Sequence, residues 1–279
     1  IELIGRKKEN GLLKVFFKLY DLLFLMLGAY PIRCSLSYNE KEIDTSKWVI
    51  RYTTANHFIE QEAAFCDITA ENINSKSLID IDNIHKQSIA SISYIISEYY
   101  EHVVTNHKIE LITHTIDGIF MHSIYYKELL DVKRIQNSKC SDSTYYENVE
   151  RVFRTFFYYH RKYNCQILEE LGTTKKKFYK TISDTRNDFS HLLGKKKNRL
   201  ISGKDMVYYI DLIFIAERLF VLDEMLKLKL NERMIQEYMY IMHDWIDELV
   251  NKRADRIKSK RYTNIQKVNL IEKKLGLTE

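Results

Sequence analysis

Proline occurs once and glycine eight times in 279 residues, too few to punctuate the tight turns of an all-β sandwich or barrel. Long helices become the default, and the expected fold class is all-α. Cysteine is also sparse. Cys34, Cys66, Cys140 and Cys165 are widely separated and form no C-x-x-C pair, which excludes a zinc ribbon and a dense disulfide framework. That usage points to a reducing compartment, the cytoplasm. The sequence has no H-E-x-x-H, no Walker-type loop and no G-x-G-x-x-G, so no metal, no cofactor and no nucleotide-driven activity is expected. The most apolar stretch, 12–27, carries Lys14, Lys18 and Asp21, so it reads as a buried or interface helix and no membrane partner is expected. Residues 1–8 lack the apolar core and cleavage pattern of a signal peptide. The start at Ile1 leads to the expectation of a further domain upstream, with 1–98 as a helical junction to it.

What is present is a composition that can build a core: 45% hydrophobic and 29% charged. The net charge of +5 is modest, but its distribution is uneven. Between Gly172 and Lys204 there are ten Lys or Arg against two acids, Asp184 and Asp188. A second basic stretch, 251–279, has nine Lys or Arg against three acids, which leaves the rest of the chain net acidic. Residues 254–279 are read as a basic C-terminal tail.

Apolar spacing predicts helices over 12–27, 54–65, 84–105, 110–132, 145–171, 175–193, 202–228 and 231–252. Tyr30-Pro31 is the expected stop of the first, Gly172 and Gly194 are expected C-terminal caps, and Ser202 with Asp205 resembles a capping box. Residues 32–52 are mixed, with 48–53 a strand or extended connector, and 136–144 a polar loop.

The 175–193 helix carries the chemistry. At 100° per residue Phe178, Ile182, Thr185, Phe189, Leu192 and Leu193 form one apolar stripe, while Asn187 and His191 lie roughly opposite and Arg186 near the boundary. Cleaving RNA through its own 2′-hydroxyl needs a group to take that proton, one to protonate the leaving oxygen, and a cation for the charge growing on phosphorus. Histidine titrates near neutrality and arginine is permanently charged with a two-pronged donor, so both types suit the work. Lys175, Lys176, Lys177 and Lys180 before the motif, and Lys195, Lys196, Lys197 and Arg199 after it, are candidate RNA phosphate contacts, weighed against simple solvation of two loops. An Arg-His pair lacks a second acid or base, so two copies of the motif facing each other across a dimer axis are the expected remedy. His107 and His114, seven residues apart, share a helix face, but no acid completes a site there. Tyr158, Tyr159, Tyr208 and Tyr209 are assigned to packing. For Arg186 and His191 the bland alternative is a solvated face with a salt bridge to Asp184 or Asp188.

Arg186-Asn187-Asp188-Phe189-Ser190-His191 resembles the signature of the HEPN superfamily: Arg, a polar residue such as Asn, then a spacer and His. The surroundings, Thr185 to Leu192 followed by a short loop and an amphipathic helix over 206–228, are similar to the ApeA-like HEPN proteins of bacterial antiphage defence, and Asp117 sits where those proteins carry an acid on a long core helix. Two departures stand out: Asp188 inside the motif, and Asp117 where Glu is more usual. The resemblance spans 99–240 and implies a HEPN-type helical domain over 99–253 with additional N-terminal helices. It further implies a metal-independent endoribonuclease of abortive-infection defence, working as a homodimer or higher oligomer on RNA under a phage-derived activator. Arg186 would hold the scissile phosphate, His191 would act as general acid or base, and Asn187 would orient it or the ribose. Two rivals remain: a non-catalytic helical scaffold for oligomerisation or partner binding, and a toxin acting by nucleotidyl transfer or tRNA cutting.

Overall fold

The structure is a computed structural model, and it describes residues 9–28, 36–38, 41–43, 65–81, 105–121, 145–163, 167–170, 172–191, 200–201 and 205–240. Within these the chain is all-α, apart from one hairpin with strands of three residues. Helix α1 (Glu9–Leu27) buries its second half on all sides, Leu22 to Met26 being at most 7% exposed. The short strands β1 (Leu36–Tyr38) and β2 (Lys41–Ile43) pair antiparallel with Leu36 opposite Ile43. Helix α2 (Ser75–Asp80) starts in a reciprocal capping box between Asn74 and Ser77. Then come α3 (Thr105–Met121), α4 (Tyr145–Lys162), α5 (Ile167–Glu170), α6 (Lys175–His191) and α7 (Asp205–Leu219), a π-helical turn (Phe220–Met225) and α8 (232–240).

Helix α7 is the hub. Leu212 to Leu219 are all buried, and α3 and α4 pack on it while α6 lies across α3 and α4. Ile109, Ile112, Ile116, Ile119 and Phe120 supply the α3 face, at the three-and-four spacing an amphipathic helix needs. From α4 come Val149, Val152, Phe153, Phe156 and Phe157. The Phe153 ring meets Phe178 of α6 edge-on at 5.0 Å, and Phe178 stacks on Tyr209 of α7 at 5.3 Å. Described residues on both sides of position 98 share this core. Phe65 N–H donates to the Met26 carbonyl, Asn231 N–H donates to the Phe65 carbonyl, and the Asn72 side chain both donates to and accepts from the Lys229 backbone.

Several boundaries differ from those read in the sequence. Helix α1 stops at Leu27, ahead of Tyr30-Pro31, because Gly28 takes a left-handed conformation (φ +80°) and its N–H closes on the Phe24 carbonyl at 2.7 Å. Helix α3 begins at Thr105, five residues before the predicted start at 110. The single helix expected over 145–171 is two, since α4 ends at Lys162 and the His160 ring accepts the Ile167 N–H at the start of α5. Gly172 does cap α5, with φ +61° and the Thr173 N–H returning to the Leu168 carbonyl. The helix expected to reach Leu228 becomes the π-helical turn at Phe220 and is over by Leu226; Lys227, with φ +53°, turns the chain. Helix α8 is capped by the Asn231 side chain, which accepts the Met234 N–H. The expected segments over 54–64, 84–104, 122–144, 192–199, 202–204 and 241–279, with Ser202, Gly194 and the basic tail, lie outside the described residues.

Candidate functional site

Helix α6 is held by Phe178, Tyr179, Ile182 and Thr185, all buried. Tyr179 widens the stripe read from the sequence. Thr185 fixes the motif in place. Its hydroxyl donates to the Thr181 carbonyl and accepts the Ile201 N–H at 2.9 Å, tying the returning chain back to the residue before Arg186.

Arg186 faces α3. One terminal nitrogen of its guanidinium donates to Asp117 Oδ2 at 2.8 Å and the other to Asn187 Oδ1 at 3.1 Å; the Arg186 and Asp117 side chains are 23% and 20% exposed. The bland alternative placed this arginine on a solvated face against Asp184 or Asp188; its carboxylate partner is instead Asp117, on a different helix. Asn148 Nδ2 donates to the other Asp117 oxygen at 3.4 Å. Tyr145 lies beneath, with its ring 5.1 Å from the guanidinium carbon and its hydroxyl donating to the Thr113 carbonyl at 2.6 Å. Burial first, and the carboxylate of Asp117 second, hold that phenol neutral far above its ordinary range. The Arg186 Nε is buried without a hydrogen-bond partner among the described residues.

A second polar pair sits one turn along. His114 Nε2 lies 2.9 Å from Ser190 Oγ, and His114 Nδ1 lies 2.8 Å from the Glu110 carbonyl. A carbonyl only accepts, so Nδ1 carries a hydrogen; in the neutral ring Nε2 is therefore free to accept the Ser190 hydroxyl. His114 is three residues before Asp117, and Ser190 is four after Arg186. The two pairs thus stack between antiparallel helices.

Of the residues predicted from sequence, Arg186 and Asn187 are in this cluster. His191 ends α6 and is exposed, about 140° around the helix from Arg186. Lys175, Lys176, Lys177 and Lys180 are exposed on the first two turns of α6, on the order of 16 Å from Arg186 for Lys175 at 1.5 Å per residue. Lys195, Lys196, Lys197 and Arg199 lie outside the described residues. His114 meets Ser190 across the two helices, a hydroxyl and not an acid, while the Asp117 carboxylate three residues on is taken by Arg186 and Asn148. Tyr159 and Tyr209 pack as expected, whereas Tyr158 leans edge-on on the Tyr159 ring with 61% of its surface exposed. The described residues hold no group of three His, Cys, Asp or Glu that could bind a metal ion, and no helix among them is long and apolar enough to cross a membrane.

Below the cluster Glu217 is fully buried, with one oxygen bonded to the Thr115 hydroxyl and the other without a hydrogen-bond partner among the described residues. That hydroxyl has one hydrogen and also bonds the Ile112 carbonyl at 2.6 Å, so the pair is best satisfied with a proton on Glu217. Burial pushes its carboxyl well up, and likewise pushes Asp211, on the same helix, to about 7 against the opposing effect of Lys108. A carboxyl raised in the folded state favours folding fully below its unfolded value near 4 and loses that contribution as pH climbs towards the folded value. Asp211→Asn and Glu217→Gln are therefore expected to gain on the wild type between pH 4 and 8, by about 4 kcal/mol for Asp211→Asn. Urea unfolding at pH 5 and pH 8 measures this; a gap that does not widen with pH would mean neither group titrates in that window.

Comparisons of the chain with protein-family models, with curated proteins and with solved structures find no match.

Proposed function

We propose that the chain is a HEPN-type endoribonuclease that cuts RNA without a metal and serves abortive-infection defence against phage. The observation that carries the chemistry is the placement of Arg186. Its guanidinium is oriented by Asp117 and Asn187 and stands beside the Ser190–His114 pair. A scissile phosphate on that guanidinium would have its charge neutralised where it grows. The 2′-oxygen bonds to phosphorus as the bond to the 5′-oxygen breaks. One histidine takes the 2′-proton and another group returns a proton to the 5′-oxygen, leaving a cyclic phosphate and a free hydroxyl. His114 is a second histidine within one chain, and His191 faces away from Arg186, so a second copy that brings its own His191 to this cluster remains the favoured assembly. The defence role rests on the likeness of Thr185 to Leu192 to the ApeA-like proteins.

A scaffold is the second reading, and one observation favours it: Arg186 already has a carboxylate partner in a pair that is only about one-fifth exposed. End-labelled RNA incubated with the protein in EDTA separates the two. Cutting by the wild type that Arg186→Ala and His191→Ala each abolish, with both variants folded, establishes the nuclease. Absence of cutting by the wild type, with any upstream region supplied, establishes the scaffold.

A further inference from the structure

A groove of about 890 Å³ runs between α4 and the start of α6. Its cations are Arg154, Arg161 and Lys162 from α4 and Lys175 and Lys176 from α6, against one acid, Glu150. All are exposed. Lys162 is engaged by Glu232, and the Lys175 ammonium lies 5.0 Å from the Phe157 ring centre. The α6 lysines stand out in the sequence as a run, whereas the α4 arginines do not, because they recur along one face of a helix that looks only like an amphipathic core element.

Aromatic rings alternate with these charges. Tyr146, Tyr158 and Tyr179 line the same groove; Tyr146 meets Tyr179 edge-on at 6.0 Å, and Tyr158 is propped edge-on against Tyr159 with 61% of its surface exposed. A large ring held in a fixed pose beside guanidinium groups, facing solvent among the described residues, serves as a platform for a flat π-system.

The groove leads to the candidate site. Tyr179 and Arg186 are seven residues apart, which brings them within about 20° of each other on α6 and on the order of 10 Å apart along it. On α4 Tyr146 lines the groove while its neighbour Tyr145 supports Arg186. From Tyr146 to Lys162 the groove follows α4 for on the order of 24 Å at 1.5 Å per residue.

We propose that this groove binds single-stranded RNA, its phosphates on Arg154, Arg161 and Lys176 and at least one base on Tyr158, and delivers the strand to Arg186. The choice of RNA over another polyanion rests on the ribonuclease reading above. Interleaved cations and rings match a single strand, whose bases are unstacked and available; a duplex hides its base faces and offers the tyrosines nothing. The length suits roughly four or more nucleotides.

The test uses a fluorescein-labelled 2′-O-methyl oligouridylate of eight nucleotides, which has no 2′-hydroxyl to attack and so reports binding without cutting. Arg154→Glu with Arg161→Glu is expected to weaken binding at least tenfold and to flatten the dependence of log Kd on log salt by about 0.7 for each phosphate that is no longer neutralised. Tyr158→Ala is expected to weaken binding about fivefold to tenfold with that slope unchanged. Lys227→Glu, an exposed change outside the groove, is the control. Wild-type affinity in both groove variants, or displacement of the oligonucleotide by an equal concentration of RNA duplex, would overturn the proposal. If the groove variants bind and cut like wild type while Arg186→Ala does not cut, the groove assignment fails and the nuclease stands. If wild type binds through the groove yet never cuts, the nuclease reading fails and the binding site stands.

Discussion

Replacing Arg218 with Met is expected to destabilise the protein by about 3–4 kcal/mol, a large part of the 5–15 kcal/mol typical of a folded domain. Arg218 is 1% exposed in the last turn of the hub helix. Its Nε donates to the Leu25 carbonyl at 2.9 Å and a terminal nitrogen to the Met26 carbonyl at 3.1 Å. These carbonyls belong to the last turn of α1, where no further helical N–H arrives and the helix dipole is negative. The guanidinium plane also lies 4.2 Å from the Phe65 ring centre and 5.2 Å from that of Phe214. Burial lowers its pKa only to about 10, so the side chain stays charged at neutral pH. Met fills much of the volume but leaves the Leu25 carbonyl dry, and Lys offers one point charge where a planar fork spans two acceptors and two rings. Gly28 records the same closeness, for a Cβ there would stand 2.7 Å from an Arg218 nitrogen. Thermal and urea unfolding of Arg218→Met and Arg218→Lys check this. A loss under about 1 kcal/mol would mean that the cost of burying the charge cancels its bonds.

This anchor explains why α1 belongs to the same core as the later helices, a fact no local pattern displays. Periodicity located the α6 stripe, because Phe178, Ile182 and Thr185 recur at helical spacing and meet a single wall. It overran at Leu228, which is 8% exposed and so apolar for the right reason, but in a non-helical segment. It also ran through Tyr163, where no Gly or Pro marks the break and the chain is redirected by a histidine ring accepting a backbone N–H. The site divides in the same way. Arg186, Asn187 and His191 were legible as a motif, and Asp117 as the acid of a resembling family. His114, Ser190, Tyr145 and Asn148 were not, since their roles come from which helix lies opposite α6. Spacing says that His114 and Asp117 share a face; only packing says that Arg186 and Ser190 look back at it.

Asp117→Ala is expected to slow RNA cleavage by about 10²-fold, and Arg186→Ala by about 10³-fold, with the double variant no slower than Arg186→Ala alone. Asp117 acts through the arginine. It takes one terminal nitrogen of the guanidinium at 2.8 Å and is itself braced by Asn148, so its loss leaves Arg186 charged, with one direction of the fork undefined. A misaimed guanidinium still attracts phosphate but meets the growing charge in the wrong place, so kcat should fall more than KM rises. Asp117→Asn keeps an oxygen acceptor without the charge and should retain most of the orientation, with a loss nearer tenfold. Stability supplies the contrasting readout. In the scaffold reading the pair contributes only to folding, so both single variants would lose stability, while partner binding or assembly by any variant that folds would follow its folded fraction. In the nuclease reading Arg186→Ala loses cutting even where its unfolding midpoint stays close to that of wild type. Single-turnover rates and urea midpoints on the same four proteins therefore decide between a pair that aims a cation at phosphate and one that merely joins α3 to α6. Additive losses in the cycle would show that Asp117 does something to the RNA on its own account.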